Sequence, residues 1–168
     1  FTEAVKTCLR KYATFSGRAS RPEYWWFVLF LVLGSVALGV LDGALFGYEA
    51  VQVAPGTVEY EPRSVLSGAF TLAMILPALA AGWRRMHDSG RSGLHLIYPL
   101  IVIVGIGSFA AFAEGLNPLF TGGPGAAFDG LTMLVLGLAT VVFFLSPLLV
   151  IWWLTRPSEA GTNRYGPP

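Results

Sequence analysis

Three short segments of this chain hold the residue types that could do chemistry. Arg84-Arg85-Met86-His87-Asp88-Ser89-Gly90-Arg91-Ser92-Gly93 gathers three guanidiniums, a His-Asp pair and two glycines. Phe15-Ser16-Gly17-Arg18-Ala19-Ser20-Arg21-Pro22-Glu23-Tyr24-Trp25-Trp26 adds two more arginines, and Asn163-Arg164-Tyr165-Gly166 a sixth. Guanidinium offers paired donors to a phosphate, and glycines let backbone N–H groups converge on an anion. Arg18, Arg21, Arg84, Arg85, Arg91 and Arg164 are therefore the candidates for an anion or lipid head-group site. The competing reading is that these arginines anchor the chain at a membrane surface and pair with Glu23 and Asp88.

Other chemistries find less support. His87 and Asp88 would make a base and its orienting group only if they faced each other, which neighbours on a helix do not, and no Ser or Cys nucleophile motif accompanies them. No catalytic residue is assigned, and the protein is expected not to be an enzyme. Two histidines and one cysteine show no metal-ligand spacing, so no metal or other cofactor is expected. Basic charge that a membrane already explains gives no reason to invoke nucleic acid. Proton-coupled transport usually needs a carboxylate inside the membrane, and only Asp42 comes near that position.

The elements that must position these segments are membrane spans. Hydrophobic residues make up 54% of the 168 and charged ones 12%, with a mean hydropathy of +0.62. Four apolar runs, Tyr24 to Leu41, Val65 to Trp83, Leu94 to Ala113 and Gly130 to Leu154, contain no Asp, Glu, Lys or Arg. Each is long enough to cross ~30 Å of hydrocarbon at ~1.5 Å per residue. Lys and Arg then set the orientation. Five lie in the N-terminal arm, three between the second and third runs and two in the tail, against Arg63 alone on the other side. All five tryptophans fall at the arginine-rich ends of the runs, as interfacial indoles do. The expected fold is all-α: a polytopic transmembrane four-helix bundle in the bacterial inner membrane with both termini cytoplasmic. Its spans cover about 24–47, 65–83, 94–113 and 128–154, so that residues 16–168 form the membrane domain.

Residues 1–15 read as an amphipathic helix in the cytoplasmic interface, with Phe1, Val5, Cys8, Leu9 and Tyr12 opposite Glu3, Lys6, Thr7, Arg10 and Lys11. Cys8 reads as an apolar contact. No cleavable signal is evident, and because the first residue is not Met the numbering is expected to begin inside the gene product. Outside, Tyr48 to Glu61 alternates around Pro55-Gly56 as a small β-hairpin would, and 114–127 reads as a turn-rich loop. Ser35, Gly39, Gly43 and Gly47 recur every four residues, a helix-packing face for the second span or for a partner. Asp42 is expected to pair with Arg63. Pro77, Pro99 and Pro147 lie ~8 to 10 Å inside one boundary, where the carbonyls they free would line a cavity. Ser-Gly-Arg occurs at 16–18 and 89–91, each time before an outward-going span, which suggests two parallel helical hairpins.

The three polar segments together resemble the bacterial inner-membrane family catalogued as domain of unknown function 805. The resemblance rests on Gly17, Arg18, Ser20, Arg21, Glu23, Tyr24 and Trp25, then Arg84, Arg85, His87, Asp88 and Gly90, then Asn163, Arg164, Tyr165 and Gly166. It implies a small four-span protein and no particular activity. Gly17, Ser20, Glu23, Trp25, His87, Asp88, Gly90, Asn163 and Tyr165 are then expected to be the scaffold of that motif set. Two functions stand open. One is a non-enzymatic structural or accessory subunit that packs against lipid or a larger membrane complex. The other is a small-solute or lipid-handling protein with an arginine-lined cytoplasmic site, whose bound partner would be a phospholipid or another anion.

Overall fold

The computed structural model describes residues 1–54, 56–120 and 125–167, with side chains throughout these except 113–120 and 125–129. A short helix α1 (Thr2–Arg10) precedes the first long helix α2 (Arg21–Phe46). Ser20 caps α2 by accepting from the Glu23 N–H at 3.4 Å, and Pro22 sits in the first turn, where its missing donor costs nothing. Gly47 ends the helix at φ +74°, a left-handed value, and turns the chain into an antiparallel hairpin of β1 (Tyr48–Ala54) and β2 (Thr57–Pro62). Gly56 at φ +80° suits the third position of the expected type II turn; Pro55 lies outside the described residues.

Helix α3 (Leu66–Asp88) returns, a 3-10 turn (Gly93–Ile97) follows, and α4 (Tyr98–Phe120) and α5 (Gly125–Thr155) complete the chain. Among the described residues four helical stretches are long and apolar enough to cross a membrane: Arg21–Phe46, Leu66–Asp88, Gly93–Phe112 and Gly130–Thr155. The turn-rich loop expected over 114–127 is mostly helical backbone instead, because α4 continues to Phe120 and α5 begins at Gly125; the Gly-Pro turn signals of 121–124 lie outside the described residues.

The long helices pair as two hairpins, α2 with α3 and α4 with α5. Along the first, the Phe70 ring lies over Gly34, where an added Cβ would come within 2.8 Å of it. The two hairpins meet at one end, where Met86 packs with Val150 and Leu154 and is flanked by Tyr24, Leu96, Tyr98 and Trp153. Trp83 covers Gly93 there so closely that no side chain fits. Helix α1 lies beside the same end, its buried Cys8 against Phe27 and Ala81. Away from this junction the helices expose Val36, Val40, Leu72, Val104, Leu134 and Leu148, the surface that lipid requires.

Two expectations are corrected here. Asp42 does not pair with Arg63. Its carboxylate accepts from the N–H groups of Leu66 and Ser67 at 2.8 Å each and from the Ser67 hydroxyl at 2.6 Å, capping α3 from across the hairpin, while Arg63 stands 3.8 Å from Glu49. Two unsatisfied N–H groups at a helix start, with a hydroxyl beside them, outcompete one solvated cation. The prolines do not leave a ring of free carbonyls either. Pro77 frees Ala73 O, which the Tyr12 hydroxyl of the N-terminal arm takes; Pro147 frees Phe143 O, which the Ser146 hydroxyl takes at 2.9 Å. Pro99 sits in the first turn of α4 rather than inside a helix, and the Tyr98 N–H bonds to His95 O.

Candidate functional site

The junction is built on the last turn of α3. Its C-terminus closes as a Schellman motif: Arg91 N–H returns to Met86 O at 3.0 Å, Gly90 N–H to His87 O at 3.0 Å, and Gly90 takes φ +75°. The turn thereby presents Arg84, Arg85, His87 and Asp88, all buried, to different neighbours. Successive helical residues point ~100° apart, so adjacent side chains reach opposite halves of the molecule.

Arg84 turns towards the N-terminal half. It is fully buried and donates to Glu23 at 3.1 Å and to its own helix at Ala80 O, with the Cys8 sulfur 4.0 Å away. Glu23 is thus drawn away from the reciprocal half of the capping box to neutralise a buried cation. Burial, reinforced by the Glu23 carboxylate, pushes the Cys8 thiol up to about 11, so it is protonated and unreactive at neutral pH.

Arg85 turns towards the C-terminal half, donating to Asp88 and to the carbonyls of Leu154 and Arg156 at the end of α5. A cation there satisfies carbonyls that the helix itself cannot. Asp88 also accepts from Arg18 Nε at 2.9 Å and from the Ser158 hydroxyl. Arg18 spends its remaining nitrogens on Glu159 O and Gly161 O, each at 2.6 Å, with Gly166 O at 3.4 Å. One carboxylate and a ring of backbone carbonyls therefore hold two buried guanidiniums.

The segment before α2 lies along this turn. Gly17 is at φ +84°, its carbonyl 3.1 Å from His87 Nδ1, and Ala19 N–H donates to Arg84 O. A carbonyl can only accept, so His87 carries its proton on Nδ1. The tail closes the other side. Asn163 folds residues 163–166 into a tight turn, accepting from the Tyr165 N–H at 2.9 Å, and its amide donates to His87 O and Glu159. Tyr165 is thereby stacked on the His87 ring at 3.7 Å and 4°.

The geometry gathers Gly17, Arg18, Glu23, Arg84, Arg85, His87, Asp88, Gly90, Asn163 and Tyr165 into one clamp, with Ser20 capping α2 beside it. It does not gather all six arginines. Arg21 is exposed at the start of α2, Arg164 is exposed over Tyr165, and Arg91 is half-buried over Trp153. Trp25 lies at the surface against Tyr24. His87 and Asp88 point to different partners and form no dyad. Of the small-residue face, Ser35 lines a shallow groove with Phe70 and Met74, Gly39 has open space beside it, Gly43 lies under the Tyr48 hydroxyl, and Gly47 is beyond the helix. Sequence reasoning missed Ser158, Glu159 and Gly161. Their signal was the short run of small and polar residues after Pro157, which suits backbone acceptors wrapped around a cation.

Among the described residues no buried side-chain nitrogen or oxygen lacks a hydrogen-bond partner, and no group of three His, Cys, Asp or Glu could hold a metal ion. The chain belongs to the family described as "Protein of unknown function (DUF805)", whose model matches residues 12–167. It is 35% identical over 97 residues to the "Inner membrane protein YhaH" of Escherichia coli K12, covering 58% of this chain and 72% of that one. It is 33% identical over 97 residues to "Inner membrane protein YhaI" of the same strain, covering 58% and 70%. No solved structure matches it.

Proposed function

We propose that this protein is a non-enzymatic accessory or structural subunit of the bacterial inner membrane, oriented with both termini in the cytoplasm. The clamp is then what holds its loops in shape. The observation that carries this reading is how the arginines are used: Arg18, Arg84 and Arg85 direct their guanidiniums at Asp88, Glu23 and helix-end carbonyls inside the protein. A solute site would keep donors in reserve. The orientation rests on the concentration of Lys and Arg at the clamp end. For a larger complex, Ser35 and Gly39 supply a place where a partner helix can approach, since a Cβ on Gly39 would meet nothing.

The reading as a solute- or lipid-handling protein loses three of its arginines to the clamp and keeps Arg21, Arg91 and Arg164. Gentle extraction from the native membrane, a native gel and mass spectrometry of what co-migrates decide between the two. A stoichiometric larger assembly is the expected result. A lone particle that carries a soluble anionic metabolite would overturn it.

A further inference from the structure

Beyond the accessory role, and independent of it, the geometry points to a phospholipid site on the second hairpin. We propose that the groove between α4 and α5 seats one acyl chain of an acidic glycerophospholipid from the leaflet at the clamp end, with Arg91 and His95 holding its head group. The groove has a volume of about 460 Å³ and is lined by Tyr98, Val142, Leu145, Ser146, Leu148 and Leu149. That lies within the ~300–1,000 Å³ of ordinary ligand pockets. Its walls are apolar apart from Tyr98 and Ser146, and the Ser146 hydroxyl is already committed to Phe143 O.

What closes the groove at the clamp end distinguishes it from plain lipid-facing surface. Val142, Ser146, Leu149 and Trp153 follow one face of α5 at spacings of four, three and four, so Trp153 lies about one turn beyond the last lining residue on the same face. Tyr98 lines the groove and touches that ring, at 6.3 Å between centroids. Around the same indole stand Arg91, its guanidinium carbon 5.8 Å from the ring, and His95, edge-on at 5.0 Å. Among the described residues the Arg91 guanidinium bonds only to Ser89 O, at 3.1 Å, and is in no ion pair. It is the second hairpin's counterpart of Arg18, each following a Ser-Gly pair whose glycine has positive φ, yet Arg18 has Asp88 and Arg91 has no acid. His95 Nδ1 lies 2.8 Å from Ser92 O, which fixes that proton and leaves Nε2 as an acceptor. Spare guanidinium donors and an imidazole acceptor around one indole complement a phosphodiester carrying a hydroxylated head group, and the groove complements its chain.

The test uses the full chain in nanodiscs of equal phosphatidylglycerol and phosphatidylethanolamine, released and counted by native mass spectrometry. One phosphatidylglycerol is expected to stay in preference to phosphatidylethanolamine. Arg91→Gln should lower that retained fraction about fivefold, the effect of one interfacial cation. Leu145→Trp, which fills the groove, should lower it with no change in melting temperature. Arg10→Gln, an exposed cation at the same end, should leave it unchanged. Absence of a preference overturns the proposal, as does an equal loss in Arg10→Gln and Arg91→Gln, or retention that Leu145→Trp does not alter.

Discussion

Helix α3 is fixed at both ends by a buried aspartate, and the two ends work differently. At the start of the helix, Asp42 accepts three hydrogen bonds from neutral donors at Leu66 and Ser67, all within one hairpin. At its end, Asp88 is shared by two guanidiniums and a hydroxyl that come from as far as 70 residues away on either side. The first end uses the carboxylate to complete a helix; the second uses it to join the N-terminal segment, both hairpins and the tail. A local cap needs no countercharge, because backbone N–H groups carry the positive end of the helix. A junction of distant segments uses arginines, which reach far and offer five donors each.

The comparison breaks most visibly at Asp88. Asp88→Ala leaves Arg18 and Arg85 buried without an anion, at a cost of about 3–5 kcal/mol. In mild detergent the variant should lose its thermal transition, and protease should cut between the hairpins. Asp42→Ala should do less. The first turn of α3 should exchange its amide hydrogens faster at residues 66–69 while the clamp keeps its protection, and equal deprotection at both ends would show that they are not separate. Smallest is Tyr12→Phe, which returns the Ala73 carbonyl to an unsatisfied state and should cost about 0.5–1 kcal/mol in chemical denaturation.

Much of the architecture was legible because its causes are local. Charge-free runs, interfacial tryptophans and the Ser20 to Glu23 cap each declare themselves within a few residues, and so do α2 and the β-hairpin. The three polar segments were legible as a set but not as an arrangement. Neighbouring letters gave no sign that Arg84 and Arg85 would turn to opposite halves, since that depends on helical phase and on what lies at each azimuth. The Asp42 cap was missed because Arg63, the one cation expected on that side of the membrane, hid the nearer demand of α3's own N–H groups. The prolines misled for a related reason: the Tyr12 and Ser146 hydroxyls that answer their freed carbonyls look unremarkable until the chain is folded.

The clamp also sets an order of events in biosynthesis. Arg18, Arg85 and Asp88 are made early, yet the carbonyls of Leu154, Arg156, Glu159 and Gly161 that complete their coordination arrive some 70 residues after Asp88. At about 5–20 residues per second, the first hairpin waits roughly 4–14 seconds with its guanidiniums still hydrated. A ribosome that stalls in that interval leaves a product with both spans of its first hairpin made and without the carbonyls that close the clamp.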